Sequence, residues 1–176
     1  IGGWDVSNVN NMWRMFQNAS SFNQDIGGWD VGNVNNMIEL FYNASSFNQD
    51  IGGWDVSNVI YMAEMFEGVD LSTQNYDSLL CGWSQLNLSN SVMFSGGYST
   101  YCNCEEARQY IIDTFNWIIE DDGLLDNNCN ETEIYEPFFT KIWIKKINIL
   151  GREVANKGFQ LEIYNDGSIE KKYIIK

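Results

Sequence analysis

The chain has 176 residues, 44% of them apolar, enough to bury a core in one domain or two small ones. Its 24 acidic and 10 basic residues give a net charge of −14, which excludes nucleic-acid phosphates and anionic lipid as partners of its acidic body. Histidine is absent, which removes the commonest metal ligand, the usual general base and the Ser-His and Cys-His nucleophile systems.

The charge is unevenly spread. Residues 1–75 carry nine acids and one base, residues 76–140 eleven acids and one base, and residues 141–176 four acids and eight bases. This asymmetry places a boundary near Pro137, the only proline, and the end of a threefold repeat places the other, giving segments 1–75, 76–136 and 137–176. No apolar run is long enough to span a bilayer, so membrane insertion is not expected.

The first segment is written three times. Ile1-Gly2-Gly3-Trp4-Asp5-Val6-Ser7-Asn8-Val9 returns at Ile26 and at Ile51, 25 residues apart each time. Each copy is followed by a second half carrying Met12 and Phe16, Met37 and Phe41, Met62 and Phe66. An ungapped period of this length signals coils that stack on one another. Trp4 and Val6 share one face of an extended stretch, and Gly2-Gly3 permits a tight corner. Met12, Met15 and Phe16 have the spacing of one helical face, with Asn10 or Asn11 as its cap. Each coil is therefore expected to hold a short strand and a short helix.

Stacking turns Asp5, Asp30 and Asp55 into a ladder at about 4.8 Å spacing, where neighbouring carboxylates repel and raise one another's pKa. The ladder reads either as a Ca²⁺ or polar-ligand stripe or as a solvated face whose Asp and Asn serve turns. The second is simpler, because Ca²⁺ requires converging oxygens. Trp4, Trp29 and Trp54 read either as a sugar-stacking stripe or, more simply, as core. The third copy leaves the template at Gly68, where the coils are expected to end.

The 25-residue unit resembles the BspA-like repeats of bacterial surface proteins, relatives of leucine-rich repeats. Trp4-Asp5-Val6-Ser7-Asn8-Val9 and Asn11-Met12, Met15-Phe16 carry the likeness. The resemblance implies an α+β architecture: a short leucine-rich-repeat-like solenoid displayed at a cell surface for adhesion or recognition.

Residues 76–136 read as the α/β cap of the last coil. Tyr76, Leu79, Leu80 and Trp83 form one side of a helix that Ser72, Thr73 or Asn75 could start. Ser95 to Ser99 reads as a loop. Asn103 and Glu106 suggest a capping box for a second helix with Ala107, Tyr110, Ile111 and Thr114 or Phe115 on its face. Trp117 to Glu120 reads as a strand ending in the Asp121-Asp122-Gly123 turn. Glu105, Glu106, Asp113, Glu120, Asp121 and Asp122 supply carboxylates of glycosidase type, but helix-start and turn roles explain them better. Asn75 to Trp83, Tyr101-Cys102, Ala107 to Ile112 and Trp117 to Gly123 resemble the segment following such repeats in Bacteroidetes-type surface proteins. No catalytic role comes with that likeness.

Cys81, Cys102, Cys104 and Cys129 could hold zinc, but Cys-x-Cys with two distant partners fits disulfides better, in any of three pairings. In the tail, Ile142 to Leu150, Phe159 to Tyr164 and Ile169 to Ile175 alternate as strands, and Asn165-Asp166-Gly167-Ser168 signals a hairpin. They suggest a small β-rich module with Lys145, Lys171 and Lys172 on its outside. Leu150-Gly151-Arg152-Glu153, Asp166-Gly167 and Lys171-Lys172 resemble the C-terminal sorting domain of type IX secretion. That resemblance implies recognition by the secretion machinery and a secreted or outer-surface location. The chain opens inside a repeat, so it is expected to be the C-terminal part of a longer protein with earlier coils and an export signal.

Together these features lead to a non-enzymatic recognition protein without cofactor, whose ligand is a glycan or a protein. The alternatives are a structural spacer, or an accessory part of a larger secreted polysaccharide-acting enzyme.

Overall fold

Every 25 residues the backbone of residues 1–70 comes back alongside itself, with parallel bridges joining Asn11 to Asn36 and Asn36 to Tyr61. The computed structural model describes residues 1–125 in full and, beyond them, the backbone of three strands at 143–147, 158–164 and 169–174. The chain divides into two units, Ile1–Tyr135 and Glu136–Lys176.

Within the repeats, two kinds of backbone hydrogen bond alternate. Met12, Arg14, Phe16 and Asn18 donate their N–H groups to the carbonyls of Asn36, Ile38, Leu40 and Tyr42 in the next unit, at 2.7–3.1 Å. Met37, Glu39, Phe41 and Asn43 do the same to Tyr61, Ala63, Met65 and Glu67. The N–H groups of Met15, Gln17 and Ala19 instead close tight turns onto Met12, Arg14 and Phe16. An α-helix would send all of these donors four residues back along the chain.

The short helix expected at Met12–Phe16 therefore does not form, nor does a continuous strand at Trp4–Val6. Residues 1–70 are turns, open segments and single bridges. Left-handed residues break the helix: Arg14, Asn18, Glu39, Asn43 and Glu64 have φ between 53° and 60°. Such a φ costs a residue with a Cβ roughly 1–2 kcal/mol, which the inter-unit bonds offset.

Gly68, where the template letters fail, keeps that conformation at φ 75° in the place of Asn18 and Asn43. A Cβ there would lie 2.2 Å from Asn43 Oδ1. The first glycine of each Gly-Gly pair serves close approach rather than a special corner φ, since a Cβ on Gly27 would lie 2.6 Å from the Asp50 carbonyl oxygen.

Aromatic rings fill the space between units. Phe16, Phe41 and Phe66 stack in a column at 5.6 and 5.4 Å between centroids, nearly parallel. Phe22 and Phe47 form a second column at 5.9 Å, each 3.9 Å from the first-column ring of its own unit. Phe94 meets Phe66 edge-on at 87° and ends the column, a geometry that the ring quadrupole favours. Polar side chains tie neighbouring units as well. Asn33 donates to the Ser7 carbonyl and Asn58 to the Gly32 carbonyl, both at 2.7 Å. The Trp54 indole donates to the Ile26 carbonyl at 3.1 Å.

After the repeats come α1 (Thr73–Trp83), β1 (Met93–Ser95), α2 (Glu105–Phe115) and β2 (Ile118–Glu120). Ser72 caps α1, its hydroxyl accepting from the Asn75 N–H at 3.4 Å. Asn103 does not cap α2. Cys104 holds the cap position without a side-chain bond, and the N–H groups just ahead of the helix, of Cys102, Asn103 and Cys104, go to Asp77. β1 was not expected: Ser95 ends a three-residue strand that pairs in parallel with β2. So short a strand exists by its pairing and not by propensity. Met62 bridges to Phe94, so β1 and β2 continue the ladder begun by the repeats.

In the second unit, β3 (Trp143–Ile147), β4 (Gly158–Tyr164) and β5 (Ile169–Ile174) form an antiparallel sheet in the order β3-β4-β5.

Candidate functional site

The ladder presents one column of side chains outward, and its composition changes along its length. By register the column reads Asn11, Asn36, Tyr61, Met93 and Ile118. Tyr61, Met93 and Ile118 are each more than half exposed, as are Trp13 beside the first rung and, nearly so, Ile60 beside the third. Alternation along each rung explains this, because Met62 and Phe94 point into the core while their neighbours cannot. Ala63, Glu64, Met93, Phe94, Ser95, Ile118 and Glu120 surround a solvent-open cavity of about 100 Å³ at this end. At the other end Arg14 grips Glu39 through two bonds of 2.7 and 3.0 Å and lies over the Trp13 ring at 4.8 Å.

Sequence reasoning missed this face. Tyr61 alone left a trace, standing where the template has Asn11 and Asn36. Met93 and Ile118 lie outside the repeat, and only pairing brings them to Tyr61.

The Asp5, Asp30 and Asp55 carboxylates each fold back on their own turn. Asp5 accepts from the Ser7 N–H at 3.1 Å and the Ser7 hydroxyl at 2.6 Å, and Asp55 does the same with Ser57. Asp30 accepts from the Gly32 N–H at 3.2 Å. The hydroxyl and N–H of Ser7 hold Asp5 below the ordinary carboxylate value, so the upward shift expected from ladder repulsion is not found there. Among the described residues no three His, Cys, Asp or Glu side chains converge as a metal site would need.

Trp29 and Trp54 are buried in the core, whereas Trp4 is 54% exposed and stacks on Trp29 at 6.4 Å. Cys81 is bonded to Cys104, joining α1 to the cap position of α2 across 23 residues. Cys102 is also in a disulfide, and Cys129 lies outside the described residues. Of the sorting-motif residues, Lys171 and Lys172 fall in β5, paired with Leu161 and Gln160. Leu150, Gly151, Arg152, Glu153, Asp166 and Gly167 lie outside the described residues.

Two buried carboxylates hold the cap. Asp77 accepts the N–H groups of Cys102, Asn103 and Cys104 at 3.0–3.1 Å, supplying from α1 the negative charge that the start of α2 favours. Asp121 has a fully covered side chain that accepts from Tyr76 Oη at 2.7 Å and from Arg108 Nε and Nη2 at 2.8 and 3.1 Å. Its oxygens are thus occupied and screened, while Asp122 beside it is exposed.

Burial, reinforced by Asp121, pushes the Tyr76 phenol well above its ordinary 10.0. A raised folded-state value means the stabilisation is complete below about pH 10 and declines as pH rises through the raised value. In Tyr76→Phe the alkaline fall of stability flattens, at a cost near neutral pH of about 1 kcal/mol for the lost hydrogen bond. Urea unfolding midpoints across pH 7–11 for both proteins measure this.

These observations define a domain built on a 25-residue repeat, closed by a helix-and-strand segment that extends the same ladder. The chain belongs to the family described as Mycoplasma protein of unknown function, DUF285, whose model matches residues 1–101, more than half of the sequence. No curated protein and no solved structure matches the chain.

Proposed function

We propose that this chain is a non-enzymatic recognition module whose stacked units form a short solenoid of the BspA-like, leucine-rich-repeat-related type. It is secreted or held at the cell surface, exported through the tail by the type IX machinery, and it contacts a protein or a glycan through the outward ladder. The observation that carries this reading is the cluster of Tyr61, Met93 and Ile118, exposed side by side on a hydrogen-bonded support. Apolar side chains gathered on one rigid face, rather than scattered, are what contact surfaces are made of.

The test is an array of glycans and immobilised proteins probed with the labelled full chain. Wild type binds members of one class, and Tyr61→Ser with Ile118→Ser loses about tenfold in affinity or more. Absence of any binding, or binding indifferent to both substitutions, overturns the reading in favour of a structural spacer.

A further inference from the structure

The far end of the ladder carries acid as well as apolar surface, and that combination selects a partner. Glu64 and Glu120 line the same cavity as Met93 and Ile118. Residues 1–125 contain two basic side chains, Arg14 and Arg108, and each is already paired, with Glu39 and with Asp121. Among the described residues neither carboxylate of the cavity is in an ion pair, Glu64 feeling Arg14 only from beyond salt-bridge reach, and both are set between hydrocarbon walls. A lysine or arginine side chain matches both features: its methylene stem lies along Met93 and Ile118 while its charged head meets the carboxylates.

The approach is to the face and not to the strand edge. Ile118 N–H and the Glu120 carbonyl are bonded to Val92 and Gly96, so Ile119 alone turns its backbone outward. Its carbonyl oxygen is taken by Arg108 Nη2 at 3.1 Å, which blunts the edge against strand addition. From this geometry we infer that the Tyr61, Met93, Ile118, Glu64 and Glu120 end of the ladder docks a protein segment presenting a basic side chain between apolar ones. This inference rests on the recognition reading above and names the partner class.

The probe is an immobilised peptide of alternating Lys and Val, with its lysine-acetylated form and a Glu-Val peptide as comparisons, beside a panel of neutral glycans. The full chain binds the Lys-Val peptide, and acetylation weakens binding by about tenfold or more. Glu64→Gln with Glu120→Gln weakens it to the same extent, and Tyr61→Ser with Ile118→Ser also weakens it. Glu105→Gln with Glu106→Gln, which removes the same charge from the start of α2, leaves binding unchanged. Equal loss in that control shows only attraction to an acidic body and overturns the inference. Binding that survives neutralisation of Glu64 and Glu120 but is lost in the apolar variant, on peptide or glycan, overturns the basic partner and leaves the recognition face standing. Binding unaffected by either pair overturns both.

Discussion

Asp77→Ala destabilises the protein by about 3–5 kcal/mol, the cost of taking one shared, buried acceptor from three backbone N–H groups at once. The Asp77 side chain comes from α1 and is 1% exposed, yet it gathers three consecutive backbone N–H groups at Cys102, Asn103 and Cys104. Alanine takes the acceptor from all three donors, of which Cys104 is buried, Cys102 half-buried and Asn103 exposed. Asp77→Asn keeps one acceptor oxygen and falls between wild type and alanine. Urea unfolding at neutral pH with the disulfides intact measures the series, because the Cys81–Cys104 bond joins the same two helices and limits how far they separate. If Asp77→Ala shifts stability by less than about 1 kcal/mol, the carboxylate is not what holds the start of α2.

Phe41→Ala is expected to cost a similar amount, about 3–5 kcal/mol, for a different reason. Phe41 is fully buried in the middle repeat, in stacking contact with Phe16 at 5.6 Å, Phe47 at 3.9 Å and Phe66 at 5.4 Å. Removing it opens a void that no neighbour can collapse into, since the hydrogen-bonded units on both sides fix its walls. Met93→Ala, at an exposed site on the outward column, changes stability by about 0.5 kcal/mol or less. Thermal and urea unfolding of the two variants distinguish the core ring from the outward column.

The parts of this protein legible in its letters are those that the repeat states more than once. Phe16, Phe41 and Phe66 stack because identical neighbours 25 residues apart occupy identical places, and Asn33 and Asn58 bond back to the preceding unit for the same reason. The apolar stripe of α1 was likewise readable, since helical periodicity puts Tyr76, Leu79, Leu80 and Trp83 on one side. The path within each unit was not. Met12, Met15 and Phe16 have helical spacing, but left-handed Arg14 and Asn18 turn alternate N–H groups toward the next unit. Nothing in the spacing of apolar residues announces a left-handed arginine.

Sequence by itself determined the 25-residue period, the acidic body with its basic tail, and which side chains recur at equivalent places, Phe16, Phe41 and Phe66 among them. Periodicity, charge and hydrophobicity are properties of residues taken one at a time or at fixed separations. Tertiary structure alone decided that Asp77 and Asp121 are buried acceptors, that Cys81 meets Cys104, and that Met93 and Ile118 extend the column begun by Tyr61. Each of those is a meeting of residues from different elements, set by strand pairing and helix docking, and no local pattern encodes such a meeting.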